Sequence, residues 1–356
     1  MDNNSIMPPL PIVRRKAAET MAAGGDCCKA VENVRDVVRT VLGSDGEIVF
    51  TSGGTENAFL ISAGVRYAER RKIVASVLDP MCMLMQPDVE VLGLDDHAYV
   101  HAEDLRQLLM ADSEIAAVHL TLVNGEYGII SPVGALARLV KMIDKDVFVY
   151  VDASQACTRM RLDDIPEHVD AVGISGAKIG ALPGAGALWI RDPSRLDSLM
   201  PGTWSQSGIR GGSLNEVGIV AMGIALGRST QRIDMDFEQL SDMRARLDEM
   251  LLNIDGISLN FEDKALVCNT SNYRIRDVDS RMLCMVLAKQ GLRVSESCAT
   301  VSMTTMQTPL TTALGEEPFR NLRFSLSVHN TTKDIEEAYL KVKAAVEMFR
   351  SHNLGN

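Results

Sequence analysis

Between residues 47 and 191, short apolar runs alternate with amphipathic stretches. The runs are EIVF (core at 48–50), KIVASV (72–77), VEVLGL (89–94), AAVHLTLV (116–123), VFVYVD (147–152), AVGIS (171–175) and GALWIR (186–191). Near-continuous apolar runs of this length fit strands buried on both faces. The stretches 55–68, 102–110 and 133–143 carry apolar positions at helical spacing. Strands alternating with helices predict an α/β fold with a mostly parallel sheet covered on both faces. Such sheets bind ligands at the carboxyl ends of their strands. Motifs just after the apolar runs therefore carry the most weight.

The pattern changes after a long helical stretch at 213–252, which opens on Ser213 as N-cap and ends near Asp255 and Gly256. Strands at 257–260, 267–275 and 322–327 then mix with helices at 278–289 and 332–349. In the last helix Thr331 or Thr332 is the cap, and Ile335, Tyr339, Val342, Val346 and Phe349 form one apolar stripe for the core. The expected organisation is an N-terminal arm (1–14), a large domain (15–229) and a smaller C-terminal α/β domain (230–356).

Composition narrows the function. A chain of 356 residues, 46% hydrophobic and 23% charged, buries a sizeable core and exceeds one simple domain. A net charge of −11 without a Lys/Arg stripe repels phosphate backbones and argues against nucleic acid as the main partner. No apolar run has bilayer-spanning length, and the opening MDNNSIMPPLP lacks the basic and apolar regions of a secretion signal. The cysteines Cys27, Cys28, Cys82, Cys157, Cys268, Cys284 and Cys298 match no zinc or disulfide framework. Reduced thiols in a cytoplasmic enzyme without a metal site are the expectation.

Four features stand after predicted strands or at helix starts. In TSGGTENAF (51–59), Gly53 and Gly54 precede a helix opening at Thr55. Such a turn is either a phosphate cradle, with free N–H groups at a positive dipole end, or a turn with glycines for conformation alone. In VYVDASQA (149–156), Asp152 ends an apolar strand. It either pairs with a cation such as a protonated pyridine nitrogen, with Gln155 near that ring's 3-oxygen, or caps the next helix. In VGISGAKIGALPGAGALWIR (172–191), a small-residue turn carries Lys178. Its amine can form an imine with a carbonyl cofactor, or it is a solvated surface lysine. Ser175, three residues earlier, can donate to a phosphate. In GLRVSESCATVS (291–302), Cys298 is either a loop nucleophile or a buried inert thiol.

In this order the segments resemble the cysteine desulfurases among the fold-type I, class V aminotransferase-like enzymes that use pyridoxal 5′-phosphate (PLP). DNNSIMPPLP (2–11) is similar to "DNNATTPL", and EIVFTSGGTEN to "EIVFTSGATES". VNGEYGIISPVG (123–134) is similar to "VNNEIGVIQPIG", VDASQA to "VDAAQA", and ISGAKIGALPGAGALWIR to "SGHKIYGPKGVGALYVR". GIRGGSLNEVGIVAMGIA (208–225) resembles "GLRSGTENVPGIVGMGAA", and LRFSLSVHNTTKDIEEA (322–338) resembles "IRFSLGRFTTEEDID". The resemblance spans nearly the whole chain. It implies that Lys178 holds PLP as an imine and moves the substrate α-proton, that Asp152 pairs with the pyridine nitrogen, and that Gln155 contacts the 3-oxygen. It implies Gly54, Thr55 and Ser175 at the phosphate, with Ser213 reaching the phosphate of the other subunit of a homodimer. Arg323 and Asn124 are implied to bind the substrate, with Arg323 on its carboxylate. Cys298 lies at, or within one residue of, the implied persulfide cysteine.

The departures cluster at the same places. The family's ring-stacking histidine, in "EHPSV", aligns with Asp79 in LDPMC (78–82). A carboxylate cannot stack as imidazole does, though it can shuttle a proton. The histidine before the lysine is Ala177, which removes a phosphate donor, and the second Asn of "VNNE" is Gly125. The shorter GGDCCKA (24–30) replaces "GNPSSxH". The expected function is a cysteine desulfurase acting on L-cysteine or a related amino acid, giving alanine and a Cys298 persulfide whose sulfur passes to an acceptor protein. The alternative is C–S β-elimination, transamination or another amino-acid conversion on the same scaffold. A non-catalytic binding protein is a third reading, against which Lys178 and Asp152 stand.

Overall fold

The computed structural model describes residues 1–23, 28–65, 70–95, 98–162, 166–202, 205–296, 308–315 and 320–353. These divide into two units: Met7–Asn124 with Ser131–Ile233, and Met1–Ile6 with Gly125–Ile130 and Asp234–Asn356.

The larger unit is built on seven strands. They are β1 (Glu47–Thr51), β2 (Lys72–Ser76), β3 (Val89–Leu92), β4 (Ile115–Thr121), β5 (Phe148–Asp152), β6 (Ala171–Ser175) and β7 (Gly186–Ile190). Their order is β1-β7-β6-β5-β4-β2-β3. β7 runs antiparallel to β1 and β6, and the remaining pairs are parallel. All seven residues of β4 are buried, as its unbroken apolar run predicts for a central strand. Its register places Thr121 beside Asp152, and Asp152 beside Gly173. Thr121 and Asp152, the last residues of β4 and β5, are thereby fixed side by side.

The helices of this unit are α1 (Pro11–Ala23), α2 (Cys28–Leu42), α3 (Gly54–Gly64), α4 (Met81–Leu84), α5 (Ala102–Ala111) and α6 (Val133–Ile143). α6 buries Val133, Leu136, Ala137 and Val140, one face of a 3.6-residue repeat. α7 (Glu216–Leu252) is one unbroken helix of 37 residues. It starts three residues after the predicted cap. Asn215 Oδ1 accepts from the Gly218 N–H at 3.1 Å, so an amide caps the helix and Ser213 lies exposed before it. α1 takes up part of the expected arm. Ahead of it, the Met7 N–H donates to the Ala177 carbonyl and the Leu10 N–H to the Gly180 carbonyl, both at 2.9 Å.

The smaller unit holds β8 (Ile257–Leu259), β9 (Thr270–Ile275) and β10 (Asn321–Ser325), antiparallel in the order β10-β9-β8, with α8 (Ser280–Lys289), α9 (Pro309–Ala313) and α10 (Thr332–Asn353). α10 opens with a reciprocal cap. The Thr331 N–H donates to Asp334 Oδ2 at 2.7 Å, and the Asp334 N–H to Thr331 Oγ1 at 3.2 Å. Ile335, Val342 and Val346 of its stripe are fully buried. The first residues of the chain run along β10: Asp2 bridges Ser325, and Asn3 Nδ2 donates to the Ser325 carbonyl at 2.7 Å. Among the described residues no helix is long and apolar enough to cross a membrane.

Candidate active site

The carboxyl ends of β1, β2, β4, β5 and β6 carry the predicted groups of the larger unit. After β1 the chain turns at Gly53, whose φ of 144° disfavours any side chain, and enters α3 without a side-chain cap. The turn is pressed against β7: a Cβ at Gly186 would lie 2.6 Å from Gly53 Cα. The Glu56 carboxylate accepts from the Ser52 N–H at 2.6 Å and pairs with Arg210 at 2.9 Å. Burial alone would raise its pKa, but these bonds hold it below the usual carboxylate range. Asn57, fully buried, ties α3 to the carbonyls of Ile174 and Ala187. The first turn of α3 therefore sits rigidly on the sheet with its N–H groups facing outward from the helix end.

A cradle forms there. A Cβ at Gly54 would meet nothing nearer than Ser154 Oγ at 3.8 Å and Ser175 Cβ at 3.9 Å, and Ser175 Oγ would be the neighbour of one at Gly53, at 3.5 Å. Thr55 is exposed and Ser175 buried. Ser154 Oγ is buried with no hydrogen-bond partner among the described residues. Hydroxyls and helix-end amides are donors suited to a phosphate oxyanion.

Asp152 ends β5, half-buried, and Oδ1 accepts from the Ser154 N–H at 2.8 Å. This leaves a carboxylate at the strand end suited to a pyridinium. Lys178 closes a 3-10 turn, Gly176–Lys178, directly after β6, and is half-buried. Arg159, only 4% exposed, joins the two motifs. Its guanidinium donates to Gln155 Oε1 at 2.6 Å, to the Gln155 carbonyl, and to the Lys178 carbonyl at 3.4 Å. With Oε1 held by a cation, the Gln155 amide turns its N–H₂ end the other way, the correct end for an anionic ring oxygen. The residues present thus fit PLP: an oxyanion cradle, a carboxylate, an oriented amide and a lysine. Arg159 was not apparent in the sequence, where it is one of two arginines in CTRMR.

Asp79 follows β2 and is held by groups of β2 and β4. Its side chain has 0% exposure. It accepts from the Ser76 N–H at 2.7 Å, Ser76 Oγ at 3.3 Å and Thr121 Oγ1 at 2.6 Å, and meets His119 Nδ1 at 2.7 Å. The carboxylate is folded back onto β2 and β4. His119 in turn packs on Tyr150 with ring centroids 4.8 Å apart, and its Nε2 is buried without a partner among the described residues. His119 and Thr121 are two polar residues at alternate positions of an apolar strand, the signal that marks this cluster. Asn124 is buried, and its Nδ2 donates to the Leu78 carbonyl at 2.9 Å.

In the smaller unit Arg323 projects from β10 with its side chain 2% exposed. Nη2 donates to Asp2 Oδ1 at 2.6 Å and Ser5 Oγ at 2.9 Å, and Nη1 to the Gly125 carbonyl at 2.8 Å. Cys298 lies outside the described residues, as does Cys27. Of the other thiols, burial pushes Cys157 up to about 12 and also raises Cys284. Neither is a ready thiolate.

Comparison with known proteins identifies relatives of the chain and of its fold. A cysteine desulfurase of Nostoc sp. is 28% identical over 367 residues, covering 98% of this chain and 90% of the relative. A probable mitochondrial cysteine desulfurase of Schizosaccharomyces pombe is 28% identical over 351 residues, covering 94% of this chain and 69% of the relative. A NifS-like protein from Rickettsia africae shares the fold, with a TM-score of 0.86 at 21% identity over 97% of this chain and 98% of that one. The family profile for aminotransferase class-V matches residues 13–338. The chain therefore belongs to the class-V aminotransferase family of PLP-dependent enzymes.

Proposed function

We propose that this protein is a PLP-dependent cysteine desulfurase, converting L-cysteine or a close relative to alanine and leaving the sulfur on Cys298 as a persulfide. The carrying observation is Asp152 at the end of β5 and Lys178 in the turn after the adjacent β6, with Arg159 bridging Gln155 to the Lys178 carbonyl, in a chain whose relatives bear that name. Bound PLP would supply an electron sink for charge developing at the substrate α-carbon.

The chain's own residues do the rest. Lys178 holds the cofactor and moves the proton at the α-carbon. Asp152 keeps the pyridine nitrogen cationic, and Gln155 donates to the 3-oxygen. The N–H groups of Gly54 and Thr55, with Ser175, bind the phosphate. Asn124 and Arg323 orient the substrate, Arg323 through its carboxylate. The Cys298 thiolate attacks the substrate sulfur. The Cβ–S bond breaks as the S–S bond forms, and alanine takes the proton. Asp79, enclosed by protein groups, serves by fixing His119 and Thr121 beneath the strand ends rather than by stacking on a ring.

In the same reading the enzyme is a cytoplasmic homodimer, with Ser213 of each copy reaching the other's phosphate and an acceptor protein taking the sulfur. Support for the homodimer comes from the exposed position of Ser213 ahead of α7. The free thiols Cys157 and Cys284 support a reducing compartment. The test is product analysis with the PLP-loaded protein and L-cysteine. Alanine, with persulfide lost in Cys298→Ala, supports the reading. Pyruvate and ammonia would replace it with C–S β-elimination.

A further inference from the structure

We propose that Ser154 is a phosphate ligand of the cofactor, a hydroxyl donor that takes over from the imidazole missing at Ala177. The inference rests on the PLP reading and adds a residue to it.

Two independent observations meet at this position. The first is the N-terminus of α3, eleven residues long, entered through Gly53 and Gly54 with no side chain capping its amides. Glu56 does not fill that role, because its carboxylate is turned to the Ser52 N–H and Arg210. The second is the Ser154 hydroxyl. Ser154 is 7% exposed, and its Oγ is buried without a partner among the described residues. Buried hydroxyls are ordinarily satisfied, so one that is not calls for a ligand or another cause.

The position of that hydroxyl supplies the cause. It is the nearest heavy atom to the Cβ that Gly54 lacks, and Ser175 flanks the same gap. The Ser154 backbone is pinned, since its N–H is held by Asp152 Oδ1. Only rotation about Cα–Cβ is left to aim the oxygen. Two hydroxyls and the first-turn amides of a helix form a donor set for a phosphate monoester, with no side-chain cation required.

The sequence carries a matching exchange. The family string VDAAQA has alanine where this chain has Ser154, and the family histidine before the lysine is Ala177 here. One donor is lost and another gained around a single anion.

The test compares PLP with pyridoxal, which lacks the phosphate, on the apoprotein of wild type and Ser154→Ala. The variant is expected to bind PLP about ten-fold more weakly or worse, as loss of a hydrogen bond to a charged group implies. Its pyridoxal affinity should match wild type, and its apo melting temperature should not fall, because the deleted hydroxyl has no partner to lose. Equal PLP affinities would overturn the proposal while leaving the PLP reading intact. A parallel loss for pyridoxal would overturn it too, by showing a general disturbance of the site. A wild-type protein that binds no PLP would overturn both.

Discussion

Arg323 Nη2 donates to Asp2 Oδ1 at 2.6 Å, across 321 positions of sequence, with the Arg323 side chain 2% exposed and that of Asp2 26%. The guanidinium proposed to receive the substrate carboxylate thus already carries a carboxylate of its own chain. Ser5 takes a second bond from the same nitrogen. A carboxylate ligand binds arginine best through two parallel N–H donors, and both arms of that fork are engaged, Nη2 by Asp2 and Ser5 and Nη1 by the Gly125 carbonyl. Asp2 therefore competes with substrate. Asp2→Asn, which keeps the shape and removes the charge, is expected to lower KM for L-cysteine several-fold with kcat little changed. An unchanged or raised KM would show that Asp2 does not compete at the anchor.

The buried carboxylate of Asp79 supports a stability prediction. Removing it strands the Ser76 N–H, the Thr121 hydroxyl and the His119 ring together. Breaking a buried, hydrogen-bonded charge cluster costs about 3–5 kcal/mol. Asp79→Ala is expected to lower the unfolding free energy by about that amount in urea titration. Thr121→Val, which deletes one bond, should cost about 1 kcal/mol. A loss from Asp79→Ala no larger than that from Thr121→Val would contradict the cluster.

Glu296 makes part of the stability pH-dependent. Burial pushes its carboxyl up to about 7; Arg281 opposes the rise and Asp279 adds to it. An unfolded glutamate titrates near ~4.3. Between these values the folded chain binds more protons at this residue than the unfolded chain does. Its contribution is therefore complete below the unfolded value and is lost as pH rises through about 7. The residue is partly exposed, so solvent screening makes the effect modest. Glu296→Gln should flatten the decline in stability over this window, and unfolding curves parallel to wild type would count against it.

Much of the scaffold was legible in the pattern. Each of the seven apolar runs is a strand; six are buried over most of their length, which leaves a nearly unbroken apolar signature, and the seventh, β3, is the half-exposed edge. α6 was legible through its one-sided periodicity. The start of α7 was misplaced because Asn215, rather than Ser213, supplies the capping oxygen. Lys178, Asp152, Gln155 and Ser175 stood out because each stands at or just after a strand end. Their bracing did not, since Arg159 gains its meaning from carbonyls on two separate turns. Likewise the pairing of Asp79 with His119 depends on which residue of β4 the turn after the neighbouring β2 meets, forty positions on in the chain. Alternation shows which side of the sheet a residue occupies, not which polar group it finds there.

The most direct measurement is borohydride reduction of the protein after incubation with PLP, followed by mapping of the labelled peptide. A visible absorption band should form, disappear on reduction, and leave the cofactor on Lys178, with Lys178→Ala taking no label. No band, or a label on another lysine with Lys178→Ala still fully reactive, would contradict the assignment of Lys178 as the residue that holds the cofactor.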